Sequence, residues 1–266
     1  MHSPVQPRPQ ISHLVFDFDG TLSWLRHGWP EIMCGVFHEQ WALHFGEPDT
    51  RLREHFLDEI LALNGKPSIF QSRRFVELLS EAGGPDLDAE VLREEFQCRL
   101  DTAITERIAS IRGGGAAQDA YLVAGAREFL EHVCSAGLCP IILSTTAEER
   151  VREEAGILGI AHYFGRHIYG GTGDPLRFSK YAVFERLLRE ERIAGDQLLS
   201  FGDGPVELRD TKQLGGLAVG VCSDETVNGS GRVDRRKQAQ LLAVGADAIL
   251  PDFRDAASLL GILRGV

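Results

Sequence analysis

The chain has 266 residues, enough for one well-buried core with an added subdomain, or for two small domains. Its 43% hydrophobic and 25% charged content fits an ordinary soluble globular protein. A formal net charge of -11 argues against nucleic acid or an anionic membrane as the main partner, since both reward basic surfaces, but not against a small phosphorylated ligand held by local positive charge and a metal.

Residues 1–10 hold three prolines and no apolar block, which predicts a loose tail rather than a signal peptide. No apolar run is long enough to span a bilayer. Five cysteines (Cys34, Cys98, Cys134, Cys139, Cys222), an odd number with no CxxC pair, predict reduced thiols and a cytoplasmic location.

The first buried strand is predicted around Ile11, Leu14, Val15 and Phe16. It runs into Asp17-Phe18-Asp19-Gly20-Thr21, where Gly20 allows the chain to turn off the sheet. Carboxylates two residues apart on an extended chain project to the same side. Left alone they repel, and one keeps its proton; a magnesium ion lets both stay charged.

Residues 23–121 then read as helix. Trp29-Pro30-Glu31 opens a helix in which Ile32, Val36, Phe37, Trp41 and Phe45 recur, and Gly46-Glu47-Pro48 stops it. Further helices are predicted over 51–63, 70–82 and 88–108, the last with Val91, Leu92, Phe96 and Leu100 on one face. The glycines of 112–117 predict a hinge. After it, helices at 124–136, 147–158, 180–192 and 235–244 alternate with strands at 139–143, 163–169, 198–201, 217–221 and 246–250. The expected fold class is α/β: a Rossmann-like parallel sheet with helices on both faces, formed by 11–22 and 122–266, with an all-helical cap inserted at 23–121. Such an insertion sits over the carboxyl end of the first strand, where open α/β sheets bind ligands.

Three further patterns follow strands or open helices. Ser144-Thr145-Thr146 follows Ile141-Ile142-Leu143, and a hydroxyl there can bond a phosphoryl oxygen. Thr146, three residues before Glu149, suits a helix cap instead. Lys180 opens a helix, where the macrodipole disfavours a cation, so a specific use is expected. Gly202-Asp203-Gly204-Pro205-Val206-Glu207 follows another buried strand, with glycines freeing the backbone around Asp203. Asp210 reads as a surface acid, and Asp224 and Asp252 read as turn residues.

Asp-Phe-Asp-Gly-Thr at 17–21 resembles the first motif of the haloacid-dehalogenase-like phosphatase superfamily. Ser144 or its competitor Thr145, then Lys180, then Asp203 with Glu207 match its later motifs in order. The family usually has Asp where this chain has Glu207. The resemblance implies Asp17 as nucleophile and Asp19 as general acid and base. It implies Ser144, Thr145 and Lys180 as phosphoryl-binding groups. It also implies Mg2+ held by Asp17, Asp203, Glu207 and the Asp19 main-chain carbonyl. The expected activity is hydrolysis of a small phosphomonoester, such as a sugar phosphate or a phosphoglycolate-like acid. A phosphomutase resembling β-phosphoglucomutase and an inactive binding protein are the alternatives. Trp24, Arg26, His27 and Trp29 are candidate substrate-facing residues, and Lys66, Arg73 and Arg74 are further cap cations, of which Arg73 and Arg74 better suit an exposed helix face. Arg177 is a candidate helper of Lys180, and oligomeric state is not readable.

Overall fold

A computed structural model describes residues 6–64, 66–171 and 178–265; Arg177 and the first half of the expected tail lie outside them. Strands β1 (His13–Phe16), β2 (Cys139–Ala147), β3 (Ile168–Gly171), β4 (Leu198–Gly202), β5 (Leu217–Val221) and β6 (Ala248–Leu250) form one sheet in the order β3-β2-β1-β4-β5-β6. Every pairing is parallel. β1 is central: Phe16 lies opposite Ile142 of β2 and Phe201 of β4. The carboxyl ends of these three strands therefore deliver Asp17, Ser144 and Asp203 to one edge of the sheet.

Both faces of the sheet are covered, as parallel sheets require. Phe16 stacks on Phe201 with ring centres 5.1 Å apart and meets Phe129 edge-on at 6.0 Å. Phe129 belongs to α5 (Ala126–Ser135), which shares this face with α6 (Glu148–Ile157), the short α7 (Ala161–Phe164) and α11 (Ala256–Arg264). Val15, Ile141 and Leu143 point the other way, onto Phe184 and Leu187 of α8 (Lys180–Glu191). α9 (Pro205–Gln213) and α10 (Arg235–Ala243) close the remainder through Leu208 and Leu241 against Ala218.

Between β1 and α5 the chain builds α1 (Trp29–Phe45), α2 (Thr50–Ala62), α3 (Ile69–Glu81) and α4 (Ala89–Arg112). They bury a separate core in which Phe37 stacks on Phe75 at 4.4 Å. Leu92, Phe96, Leu100 and Ile104, spaced four residues apart, are the buried stripe of α4. Val91 was expected on that face but is 61% exposed, since one residue is a 100° turn away from the stripe. Phe45 is also outside the core, at the end of α1 against Trp41. The chain enters and leaves this block side by side. Trp24 N–H donates to Tyr121 O at 2.8 Å and Val123 N–H to Leu22 O at 2.9 Å, around an antiparallel bridge between Ser23 and Leu122. The glycines at 113–115 close the last turn of α4, their N–H groups donating back to Ala109, Ile111 and Ser110.

The structure departs from the pattern expected of the sequence in one strand and one added helix, and it ties down the Gly-rich stretch Asn228–Gly231, whose composition reads as a flexible loop. The stretch 163–169 is not one strand: α7 ends at Phe164, whose ring enters the core, and β3 begins only at Ile168, opposite Ile142. Nothing in the sequence reading anticipated α11. The Asn228–Gly231 stretch is pinned, because the Asn228 amide accepts from Ala124 N–H and donates to Leu122 O. Asp224 and Asp252 are turn residues, each accepting from backbone N–H groups two residues on. All five cysteines are free, and no helix among the described residues is long and apolar enough to cross a membrane.

Candidate active site

Asp17 leaves β1 with its N–H still bonded to Phe201 O at 2.9 Å, so the sheet fixes its backbone. Its Oδ1 accepts from Phe18 N–H and its Oδ2 lies 2.8 Å from Lys180 Nζ. Lys180 Nζ is also 3.4 Å from Glu207 Oε2. Ser179 caps α8 by accepting from Ala182 N–H, which leaves the side chain of the first helical residue, Lys180, to run inward. Burial works against the Lys180 ammonium, but Asp17 and Glu207 outweigh it and raise its pKa.

One oxygen from each of Asp17, Asp203 and Glu207 lies within 4.8 Å of the others, and all three residues are buried. Burial pushes Asp17 up to about 7, with Lys180 opposing and Glu207 and Asp19 adding to the rise. Burial likewise pushes Asp203 up to about 6, against the pull of Lys237. Glu207 is raised by burial too, opposed by Lys180. Crowded carboxylates with too little positive charge behave this way. The Asp203 carboxylate meets Lys237 Nζ as an ion pair, 3.1 Å from Oδ2, and has no other polar partner among the described residues. Three buried carboxylates converging on one point, with only two ammonium groups against them, are a donor set that suits a hard divalent cation. The acid cluster thus could hold a metal.

Glycine geometry keeps the cluster open. Gly20 has φ +74°, and a Cβ there would stand 2.2 Å from Asp203 Oδ2. Gly20→Ala is expected to displace Asp203 and cut turnover about 100-fold, the scale of an ångström misplacement. Steady-state kinetics alongside a thermal melt check this, because the fold should suffer much less than the rate. Glu207 Oε1 accepts from Gly204 N–H at 2.8 Å, closing the first turn of α9 and leaving Oε2 for the cluster.

The Asp19 carboxylate does not join the three acids. Its Oδ1 accepts from Arg26 Nη1 at 2.6 Å and its Oδ2 from Thr146 Oγ1 at 2.7 Å. Thr146 therefore does not cap α6, as its spacing suggested; β2 runs on to Ala147, which is the unbonded cap. Arg26 is buried and forms a fork onto Glu154. Burial opposes its charge, and Asp19 and Glu154 restore and raise its pKa. Thr146→Val removes one charged-group hydrogen bond from Asp19 and is expected to slow turnover about tenfold, with little change in melting temperature. Ser144 is buried and its Oγ accepts from Thr146 N–H at 3.0 Å, leaving its own proton to donate.

Above the acids lies a cavity of about 590 Å³ between the sheet edge and the four-helix block. Asp17, Asp19 and Thr145 line its floor, and Ser144 does not. Arg26, Trp29, Lys66 and Arg73 line it as well, whereas Trp24 and His27 stack on each other at 3.7 Å and Arg74 is taken by Glu59 and Glu77. Asp210 is not part of the cluster. The sequence reading did not single out Glu154, Lys237 or Glu225, all buried close to these groups.

A haloacid dehalogenase-like hydrolase family model matches residues 11–210, and the chain belongs to that family. A search of curated proteins finds no match. Among solved structures, a predicted phosphoglycolate phosphatase from Haemophilus somnus 129pt is similar over 94% of this chain and 98% of its own, with 18% identity and a TM-score of 0.60. A protein from Thermotoga maritima, described only provisionally as a β-phosphoglucomutase, is similar over 95% of this chain and 100% of its own, with 18% identity and a TM-score of 0.57. A HAD family hydrolase from Deinococcus radiodurans R1, with bound phosphate and sodium, is similar over 96% and 98%, with 17% identity and a TM-score of 0.59. At these identities the likeness is one of fold.

Proposed function

We propose that the protein is a magnesium-dependent phosphatase acting on a small phosphomonoester through an aspartyl-phosphate. The observation that carries this reading is Asp17, held 2.8 Å from Lys180, grouped with Asp203 and Glu207, and exposed to the cavity. Asp17, Asp203 and Glu207 would hold Mg2+, with the Asp19 carbonyl as the ligand that the family pattern adds. When bound, the ion offsets the negative charge of the phosphoryl group and the acids.

The steps on the protein's own groups balance. An Asp17 carboxylate oxygen attacks phosphorus, and the ester P–O bond breaks. Asp19 gives its proton to the leaving alkoxide. Asp19 then takes a proton from water as the water oxygen attacks phosphorus, which frees Asp17 and releases inorganic phosphate. Lys180 steadies charge on the phosphoryl oxygens, with Thr145, on the cavity floor, as the hydroxyl donor and Ser144 positioning the turn through Thr146 N–H. Arg26 and Thr146 hold Asp19 toward the leaving group. The four helices act as a cap over the carboxyl ends of β1, β2 and β4, with the Gly-rich segment 112–117 as its hinge.

The test is phosphate release from a panel of sugar phosphates and small phosphorylated acids, with Mg2+ and with a chelator. Magnesium-dependent release from at least one supports the reading, and none from any overturns it. The fold likeness to the Thermotoga protein keeps the mutase reading in view. Product analysis separates the two, because a mutase yields an isomeric phosphate in place of inorganic phosphate. Five free thiols fit a reducing compartment such as the cytoplasm.

A further inference from the structure

The acid cluster contains a second buried ammonium with no part in the steps above. Lys237, in the first turn of α10, is 1% exposed. Its Nζ lies 3.1 Å from Asp203 Oδ2 and 3.5 Å from Ser223 Oγ, and it pairs closely with Glu225 Oε1. Three features make this placement unlike a surface lysine. It opens a helix, where a cation is disfavoured. Its head does not reach water, although a four-carbon stem allows that. It also contacts a carboxylate of the proposed cation site.

Glu225 is tied down on both oxygens. Oε1 takes the Lys237 ammonium and Oε2 accepts from the N–H of Gly28, the residue just before α1. Charge then decides what the pair does. Asp17, Asp203, Glu207 and Glu225 supply four negative charges when ionised, and Lys180 and Lys237 supply two positive. The remainder is two negative charges, which one divalent cation neutralises.

We propose that Lys237 and Glu225 are a positioning pair that sets the affinity of the acid cluster for its divalent cation. Lys237 moderates the pull of Asp203 on the ion. Glu225 draws the ammonium aside so that it does not close on Asp203 as a permanent counter-ion. This rests on the cation site of the proposed function, but not on the reaction.

The pair makes opposed predictions that a purely structural role does not. Lys237→Gln keeps donors for both acids but leaves three net negative charges, so Mg2+ should bind about tenfold more tightly. Glu225→Gln keeps the acceptor for Gly28 and leaves one net negative charge, so Mg2+ should bind about tenfold more weakly. The double variant restores the original balance and should return to within about twofold of wild type. Calorimetric titration of Mg2+ into the full chain, without substrate, reads all four affinities, and circular dichroism confirms folding. If Lys237→Gln does not fold, Glu225→Gln still decides the matter: unchanged or tighter binding overturns the proposal. Single variants that both weaken or both tighten binding also overturn it, while leaving the cation site standing. A wild-type chain that binds no Mg2+ overturns both.

Discussion

Asp17→Asn is expected to lower phosphate release by about 10⁴-fold or more, without unfolding the protein. The amide keeps the acceptor that Phe18 N–H uses through Oδ1, and the backbone bond to Phe201 does not involve the side chain. What disappears is the attacking carboxylate. The cost to stability should be modest. Burial already drives the Asp17 pKa up to about 7, which limits the cost of a neutral side chain there, and the Asn NH2 displaces the Lys180 ammonium it would face. Lys180 also retains Glu207 at 3.4 Å. Single-turnover phosphate release, with mass spectrometry for a phosphorylated protein, checks both parts. Wild type should show a transient adduct on Asp17 and the variant none; undiminished release from the variant removes Asp17 from the nucleophile's role.

Lys180→Met should fail differently, in fold and rate together. The ammonium is buried against Asp17 and Glu207, and deleting it leaves both acids without their cation. Breaking a buried pair on one side costs about 3–5 kcal/mol. For a chain of this size that is a fall in melting temperature on the order of 10 °C. Turnover should drop by about 10³-fold, because the group proposed to steady the phosphoryl oxygens is gone. Added Mg2+ should recover part of the melting temperature but not the rate. A melt and a rate that both stay at wild-type levels would show that Lys180 carries neither charge balance nor chemistry.

The parts of this site that were legible in the sequence are those set by local rules. Asp17 could be placed at a strand end because Leu14 to Phe16 is an apolar run and Gly20 follows. Lys180 stood out because a cation opened a helix. The helical insertion showed through its 3.6-residue spacing, and its errors, Val91 and Phe45, are edge residues of real helices. The illegible parts depend on chain segments far apart. Arg26 meets Glu154 across 128 positions, and no spacing rule links them. Thr146 obeys the spacing of a capping residue, yet β2 extends past it and turns its hydroxyl to Asp19. Lys237 is the instructive omission. It also begins a helix, so the argument that marked Lys180 applied to it. The sequence predicts only a helix over 235–244, and the partners that bury Lys237, namely Asp203 and Glu225, lie 34 and 12 positions away in the chain.

The seam at Ser23 and Leu122 gives the molecule a modular character. The polypeptide departs from the sheet and comes home at the same spot, so everything in between is a detour spliced at a single address. A foreign helical unit grafted at these two positions should leave the pairings of β1 with β2 and β4 untouched. The Asn64 amide on the Asp203 carbonyl is a contact such a graft would have to rebuild. Arg26 and Gly28 travel with the detour as well, so a graft has to bring its own partners for Asp19 and Glu225.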